Sequence, residues 1–138
     1  MSIPYRIYHD PTKTSKDLLN SQQEQLVDCL FTRHSDGFVR QKYLAKIIGL
    51  NKTWVVPFVV QLLGEYVIEI IRVIEENLGK LDISVYKSFL DANPEFLILT
   101  EQRVASYWDC YYKPEQREGY AGFRVLRFFR ELVEKNKA

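Results

Sequence analysis

The segment from residue 53 to residue 78, TWVVPFVVQLLGEYVIEIIRVIEENL, constrains the fold more than any other part of the chain. Its first twelve residues carry no charge, whereas its last fourteen carry five charged side chains. A helix that is apolar over most of its circumference is covered by neighbouring elements on most sides. We therefore predict one long central hydrophobic helix over 53–78, around which the rest of an all-α domain packs.

The polar residues of this segment fall on one side of the predicted helix. At 100° per residue they occupy a narrow sector, which we call the polar stripe: Gln61, Glu65, Glu69, Arg72 and Glu76. The ordinary interpretation is a solvated face with a weak exposed ion pair. The alternative is that the stripe forms the floor of a polar groove, as in a helical enzyme or a small-ligand binder.

Length and charge narrow the class of protein. A membrane-spanning helix needs about 20 predominantly apolar residues, and the uncharged run 53–64 is too short. The N-terminal residues contain no apolar run of signal-peptide length. The net charge of +1 gives no general attraction to nucleic acids or anionic membranes. We expect a single domain over 1–138 in the cytoplasm, with no membrane contact.

The two cysteines, Cys29 and Cys110, lie far apart in the sequence and lack the spacing of a metal site. Two thiols in a domain with a full hydrophobic core and no signal peptide indicate a reducing compartment. We expect free cysteines, and a disulfide between the two stays open.

Hydrophobic periodicity and turn signals predict about six helices and no convincing sheet. An extended N-terminal arm over 1–13 precedes them, because apolar and other residues alternate there with a period of two. Side chains that cap helix N-termini are expected at Thr14 or Ser15 for the first helix and at Asp82 or Ser84 for the fourth. The predicted helices cover 16–34, 38–48, 53–78, 82–92, 95–112 and 120–136.

Residues 36–40, DGFVR, and Leu44 resemble the start of the second helix of a HEAT-like (armadillo-type) repeat. Pro57-Phe58 and Leu62-Leu63 resemble the first helix of a following repeat. This resemblance covers 36–78 and implies a curved, all-helical protein-binding scaffold. It departs from the repeat pattern because the predicted central helix continues to residue 78 and no third unit follows. An irregular helical bundle is the alternative.

A second spacing, that of Leu44-Ala45, Gly49 and Val55, is similar to a helix-turn-helix and makes DNA binding a further alternative. The recognition helix would then begin near Thr53, and its exposed face must present polar or basic side chains to bases and phosphates. The face carries apolar residues instead, so we do not expect nucleic-acid binding. Those residues are Trp54, Val56, Pro57 and Phe58.

The sequence holds no recognisable motif for metal binding, phosphate binding or covalent catalysis. Glu65 and Glu69 are four residues apart, but helical di-iron sites also need Glu-x-x-His pairs. Neither His9 nor His34 follows a glutamate at that spacing. We expect no metal, no cofactor and no catalytic residue.

An aromatic cluster ends the fifth predicted helix, and it consists of Tyr107, Trp108, Tyr111 and Tyr112, with Arg103 one turn earlier. Aromatic side chains at helical spacing usually pack in the core. This many exceed what one helix face buries while satisfying every polar tip. Tyrosine, tryptophan and arginine are enriched where binding energy concentrates. We therefore predict that the cluster and Arg103 form part of a partner-binding surface.

Together these patterns predict a small cytoplasmic protein–protein interaction module. A stoichiometric inhibitor, such as an immunity-type protein that neutralises a toxin, is one form, by analogy with other small stand-alone domains. The alternatives are a helical enzyme or small-ligand binder that uses Glu65, Glu69 and Arg72, and a helix-turn-helix DNA-binding protein. The expected partner is another protein, and a homo-oligomer stays open.

Overall fold

The all-α class is confirmed by a computed structural model, which describes residues 6–13, 18–65, 67–112 and 119–134, without the side chains of Lys13 and Tyr112. No strand occurs in these ranges, and one isolated parallel bridge pairs Ile7 with His34. The described part contains seven α-helices: α1 (Ser21–Phe31), α2 (Gly37–Ile47), α3 (Val56–Gln61), α4 (Ile68–Glu76), α5 (Ile83–Ala92), α6 (Pro94–Tyr107) and α7 (Ala121–Glu134).

The prediction of one uninterrupted helix over 53–78 is wrong. After a 3₁₀ turn at Thr53–Val55, α3 ends at Gln61 and passes into a second 3₁₀ turn at Leu62–Gly64. Glu65 is then extended, with φ −102° and ψ 168°, and Val67 is extended as well. Helical structure resumes in α4, so the segment forms two short helices with extended backbone at Glu65 and Val67 between them, and we call these two residues the junction.

The first half of this segment is the centre of the core. The side chains of Val55, Val59, Val60, Leu62 and Leu63 have no exposed surface. This explains why the run 53–64 is apolar all round, since α5, α6 and α7 contact α3 and its flanking turns from several sides. The second half is amphipathic, and α4 buries only Ile70, Ile71 and Ile74 against α2 and α7.

Capping side chains set where several helices begin. Asp82 begins α5 as one of the two expected caps, and its carboxylate accepts hydrogen bonds from the backbone N–H groups of Ser84 and Val85. In the described ranges α1 begins at Ser21, five residues after the predicted start, because Asn20 and Gln23 form a reciprocal capping box there. The expected caps Thr14 and Ser15 lie outside the described residues.

The N-terminal segment lies against the turn between α1 and α2. The Ile7 N–H donates to the Arg33 carbonyl at 2.8 Å, and the Ser35 N–H donates to the Ile7 carbonyl at 2.8 Å. The predicted arm over 1–13 is not extended throughout, because Pro11–Lys13 form a 3₁₀ turn. Its first five residues lie outside the described ranges. Ile7 is therefore the residue that joins the N-terminal segment to the helical body through backbone hydrogen bonds.

The helices that follow keep close to their predicted ranges. The fifth predicted helix, 95–112, appears as α6 continued by a π-helical turn at Trp108–Tyr112. The last helix begins at Ala121, and its inward face buries Val125, Leu126, Phe129, Leu132 and Val133. None of the helices in the described ranges combines the length and the apolar character that crossing a bilayer requires.

We predict that Gly122→Ala destabilises the protein although alanine is the better helix former. A Cβ at Gly122 would lie 2.5 Å from Tyr120 Cε2 and 3.0 Å from Val104 Cγ1, so α7 could not approach α6 as it does. Such overpacking costs about 1–3 kcal/mol. Urea unfolding measures the loss. The matched control is Gly79→Ala, because no atom lies within 4 Å of a Cβ there. Equal stability of the two variants would contradict the packing.

Candidate functional site

The junction contains a buried carboxylate. Glu65 is 7% exposed. Arg33, which has no exposed surface, donates to both of its oxygens, with Nη1 3.2 Å from Oε1 and Nη2 2.9 Å from Oε2. Arg6 Nη1 lies 3.1 Å from Oε2, and Arg40 Nε lies 3.6 Å from Oε1. We call Glu65 and these three arginines the arginine cluster.

The arginine cluster joins elements that are distant in the sequence. Arg6 comes from the N-terminal segment, Arg33 from the turn after α1, and Arg40 from α2. Arg40 Nη1 also donates to the carbonyls of His34 and Ser35, at 2.8 and 3.1 Å. Burial lowers the pKa of Arg40, and the charge of Glu65 opposes that shift. Buried charges are tolerated only when paired, so the cluster fixes where these elements lie relative to each other.

A groove lies beside the cluster, between the Leu62–Gly64 turn and the end of α6. Its volume is about 350 Å³. Gly64 permits the close approach of the two elements, because a Cβ there would lie 3.0 Å from Arg103 Cβ and 3.2 Å from Arg103 Cδ. The aliphatic part of Arg103 therefore covers Gly64. We call this the tyrosine groove, and its lining is Gln61, Gly64, Glu65, Arg103, Ser106, Tyr107, Cys110 and Tyr111.

Two of the predicted aromatic residues line one wall of the tyrosine groove. Tyr107 and Tyr111 stack with ring centroids 6.2 Å apart, and Tyr111 is 57% exposed. Trp108 packs edge-on against Phe123 with centroids 5.8 Å apart, next to the hydrophobic core. The side chain of Tyr112 lies outside the described structure. The π-helical turn at 108–112 widens the end of α6, and such turns are frequent at functional sites.

The polar stripe does not exist as one continuous surface. Gln61 and Glu65 line the tyrosine groove, but the junction separates them from the rest. Glu69 is exposed and lines a different cavity, beside Asp36 and Phe38. Arg72 and Glu76 are exposed on α4. The five residues of the polar stripe therefore do not share one helical face, because the predicted continuous helix is interrupted between α3 and α4.

The DNA-binding alternative meets a packing problem in α3. That helix is buried along its length apart from Gln61, and Val56 and Phe58 are at most 5% exposed. A recognition helix must present one face to a DNA groove, and α3 has no such face. In the described ranges, no group of three or more histidine, cysteine or acidic side chains is placed to hold a metal ion.

The two cysteines are free and differ in environment. Cys29 is fully buried, and burial raises its pKa to about 12. Cys110 is exposed and lines the tyrosine groove. Thiolate is the reactive form of cysteine. We therefore expect a thiol reagent at neutral pH to modify the exposed Cys110 and not the buried Cys29.

Comparison of the chain with protein-family models, curated proteins and solved structures gave no match. The HEAT-like resemblance over 36–78 therefore stays a hypothesis. The site must be interpreted from its own geometry.

Sequence reasoning missed the arginine cluster. Arg6 and Arg33 belong to no pattern, and Arg40 was noted only as part of the HEAT-like DGFVR motif. Long-range ion pairs leave no periodic signal in one sequence. The available hint was Glu65, a carboxylate directly after an uncharged run of twelve residues that ends in Gly64. A charged side chain at that place needs a partner if the helix is buried.

We predict that Glu65→Gln strongly destabilises the protein, because it leaves three guanidinium groups around a neutral amide. Removing one partner of a buried ion pair costs about 3–5 kcal/mol. Urea unfolding of the variant measures this loss. Glu69→Gln is the matched control, since it makes the same chemical change at an exposed position four residues later. Equal urea midpoints for Glu65→Gln and Glu69→Gln would contradict the structural role of Glu65.

Proposed function

We propose that this chain is a protein–protein interaction module that binds a partner through the tyrosine groove. The supporting observation is that one groove collects Arg103, Tyr107 and Tyr111. Tyrosine and arginine are among the residue types that dominate binding energy at interfaces. Tyr111 offers a large, rigid aromatic surface that loses little conformational freedom on binding.

The scaffold supports this role because the groove walls are held rigidly. One wall is the turn at Leu62–Gly64, anchored by the buried Glu65 and by the core residues of α3. The other wall is α6, which packs on that turn through the Gly64–Arg103 contact. A preformed surface binds with a smaller entropic cost than one that must first become ordered.

A stoichiometric inhibitor, with an immunity-type protein as one form, is the mode of action we propose, in the cytoplasm where both thiols stay reduced. The second candidate is a small-ligand binder in the same groove. Its volume of about 350 Å³ is compatible with that function, since small-molecule pockets occupy roughly 300–1,000 Å³. An enzyme based on Glu65, Glu69 and Arg72 is not proposed, because these side chains do not converge.

We predict that Tyr111→Ala weakens partner binding by about 30-fold or more, as expected for a hot-spot loss of about 2 kcal/mol. The partner is captured with the tagged chain from an extract of the cells that express it, identified by mass spectrometry and then titrated with purified components. Stability should change by no more than about 0.5 kcal/mol, because the side chain is largely exposed.

The matched control is Phe38→Ala, which removes an 83% exposed aromatic outside the groove. Loss of binding in the Tyr111 variant alone supports the proposal. Loss in the Phe38 variant alone would move the interface to the start of α2 and contradict it.

A further inference from the structure

Resting on the proposed function, we infer that the tyrosine groove takes an acidic segment of the partner protein, with a partner carboxylate paired to Arg103. Two features of the groove point to such an occupant: the charge around it and the stacked tyrosines in its wall. Each constrains a different part of the occupant.

The charge around the groove favours a negative occupant. Among the described lining residues, Glu65 is the one acidic side chain, and it already binds Arg6, Arg33 and Arg40. Its negative charge is therefore not available to a ligand. The described groove lining and the ion-pair partners of Glu65 together hold four guanidinium groups and one carboxylate, a net positive charge in a chain that is almost neutral overall.

Arg103 is positioned to bind a carboxylate. It is exposed on α6, and no carboxylate of the described residues lies within ion-pair distance of it. Glu101, two residues earlier, is paired with Arg130 instead. The stem of Arg103 lies on Gly64, which limits its rotation. A guanidinium held in this way binds a carboxylate with two parallel hydrogen bonds.

The stacked rings of Tyr107 and Tyr111 add an apolar wall to the same groove. An aromatic or aliphatic side chain beside the acidic residue can pack on it. The occupant is therefore an acidic peptide segment with at least one large apolar residue.

The test uses a fluorescent acidic peptide in which glutamates flank a central phenylalanine, with a matched peptide that carries glutamine in place of glutamate. Fluorescence anisotropy measures binding to the full chain. We expect the acidic peptide to bind at least about tenfold more tightly than the glutamine peptide. Arg103→Glu should weaken the acidic peptide at least about tenfold. Arg127→Glu, the same change at an exposed position on α7 outside the groove, should have little effect.

A second readout locates the peptide. Bound acidic peptide should slow maleimide modification of Cys110, which lines the groove, while the buried Cys29 adds no background. Equal binding of the two peptides, or equal losses in the Arg103 and Arg127 variants, would overturn the inference. Competition by free 4-hydroxyphenylacetate at the peptide's own concentration would overturn it too, since the groove would then take small acids.

Failure here is distinguishable from failure of the proposed function. If the native partner loses affinity with Tyr111→Ala but not with Arg103→Glu, the groove is the interface and its acidic specificity is refuted. If the partner binds both variants normally, the groove is not the interface and the proposed function fails.

Discussion

The buried carboxylate of Glu65 is the constraint on which the rest of this structure depends. It interrupts what would otherwise be a continuous apolar helix, because its partners Arg33 and Arg40 lie around the turn between α1 and α2. The backbone of Glu65 is extended, so no α-helix runs through this residue. The junction redirects the chain so that α4 packs on α2 and α7. One ion-pair network therefore joins the N-terminal segment, the turn after α1, α2 and the junction.

Such a network specifies a structure more than it stabilises one. Desolvating several charges costs energy that their attraction only partly returns, and a well-packed apolar replacement can be equally stable. Removing a single partner lowers stability, because the remaining charges stay buried and unpaired. The arginine cluster therefore penalises alternative arrangements of the chain, including the straight helix over 53–78 that the hydrophobic pattern favours.

The same junction creates the tyrosine groove. Because the chain ends α3 and turns at Leu62–Gly64, Gln61 and Glu65 face the end of α6, and Gly64 lies under Arg103. A straight helix would instead have placed Glu65 on one face with Glu69 and Arg72. The groove thus combines one half of the predicted polar stripe with part of the predicted aromatic cluster, two groups more than thirty residues apart in the sequence.

The sequence predicted those parts of the fold that depend on local signals. Regular apolar spacing and the expected cap at Asp82 account for the predicted ranges of α2, α5, α6 and α7. The start of α1 also has a local signal, the capping box formed by Asn20 and Gln23. The sequence prediction placed the cap at Thr14 or Ser15 instead.

The junction and the arginine cluster could not be predicted in the same way. Their cause is the pairing of Glu65 with side chains 59, 32 and 25 residues away in sequence, and hydrophobic periodicity carries no information about such pairs. The tyrosine groove was predictable only in part. Arg103, Tyr107 and Tyr111 were identified by residue type, whereas their opposite wall exists only because the helix is broken.

A double-mutant cycle between Glu65 and Arg33 tests the central claim most directly. The free energies of unfolding of Glu65→Gln, Arg33→Gln and the double variant are compared with that of the unmodified protein. If the two side chains form a buried pair, the double variant loses less stability than the sum of the single losses, by more than about 1 kcal/mol. Losses that add to within about 0.5 kcal/mol would show that the residues act independently and would contradict the account.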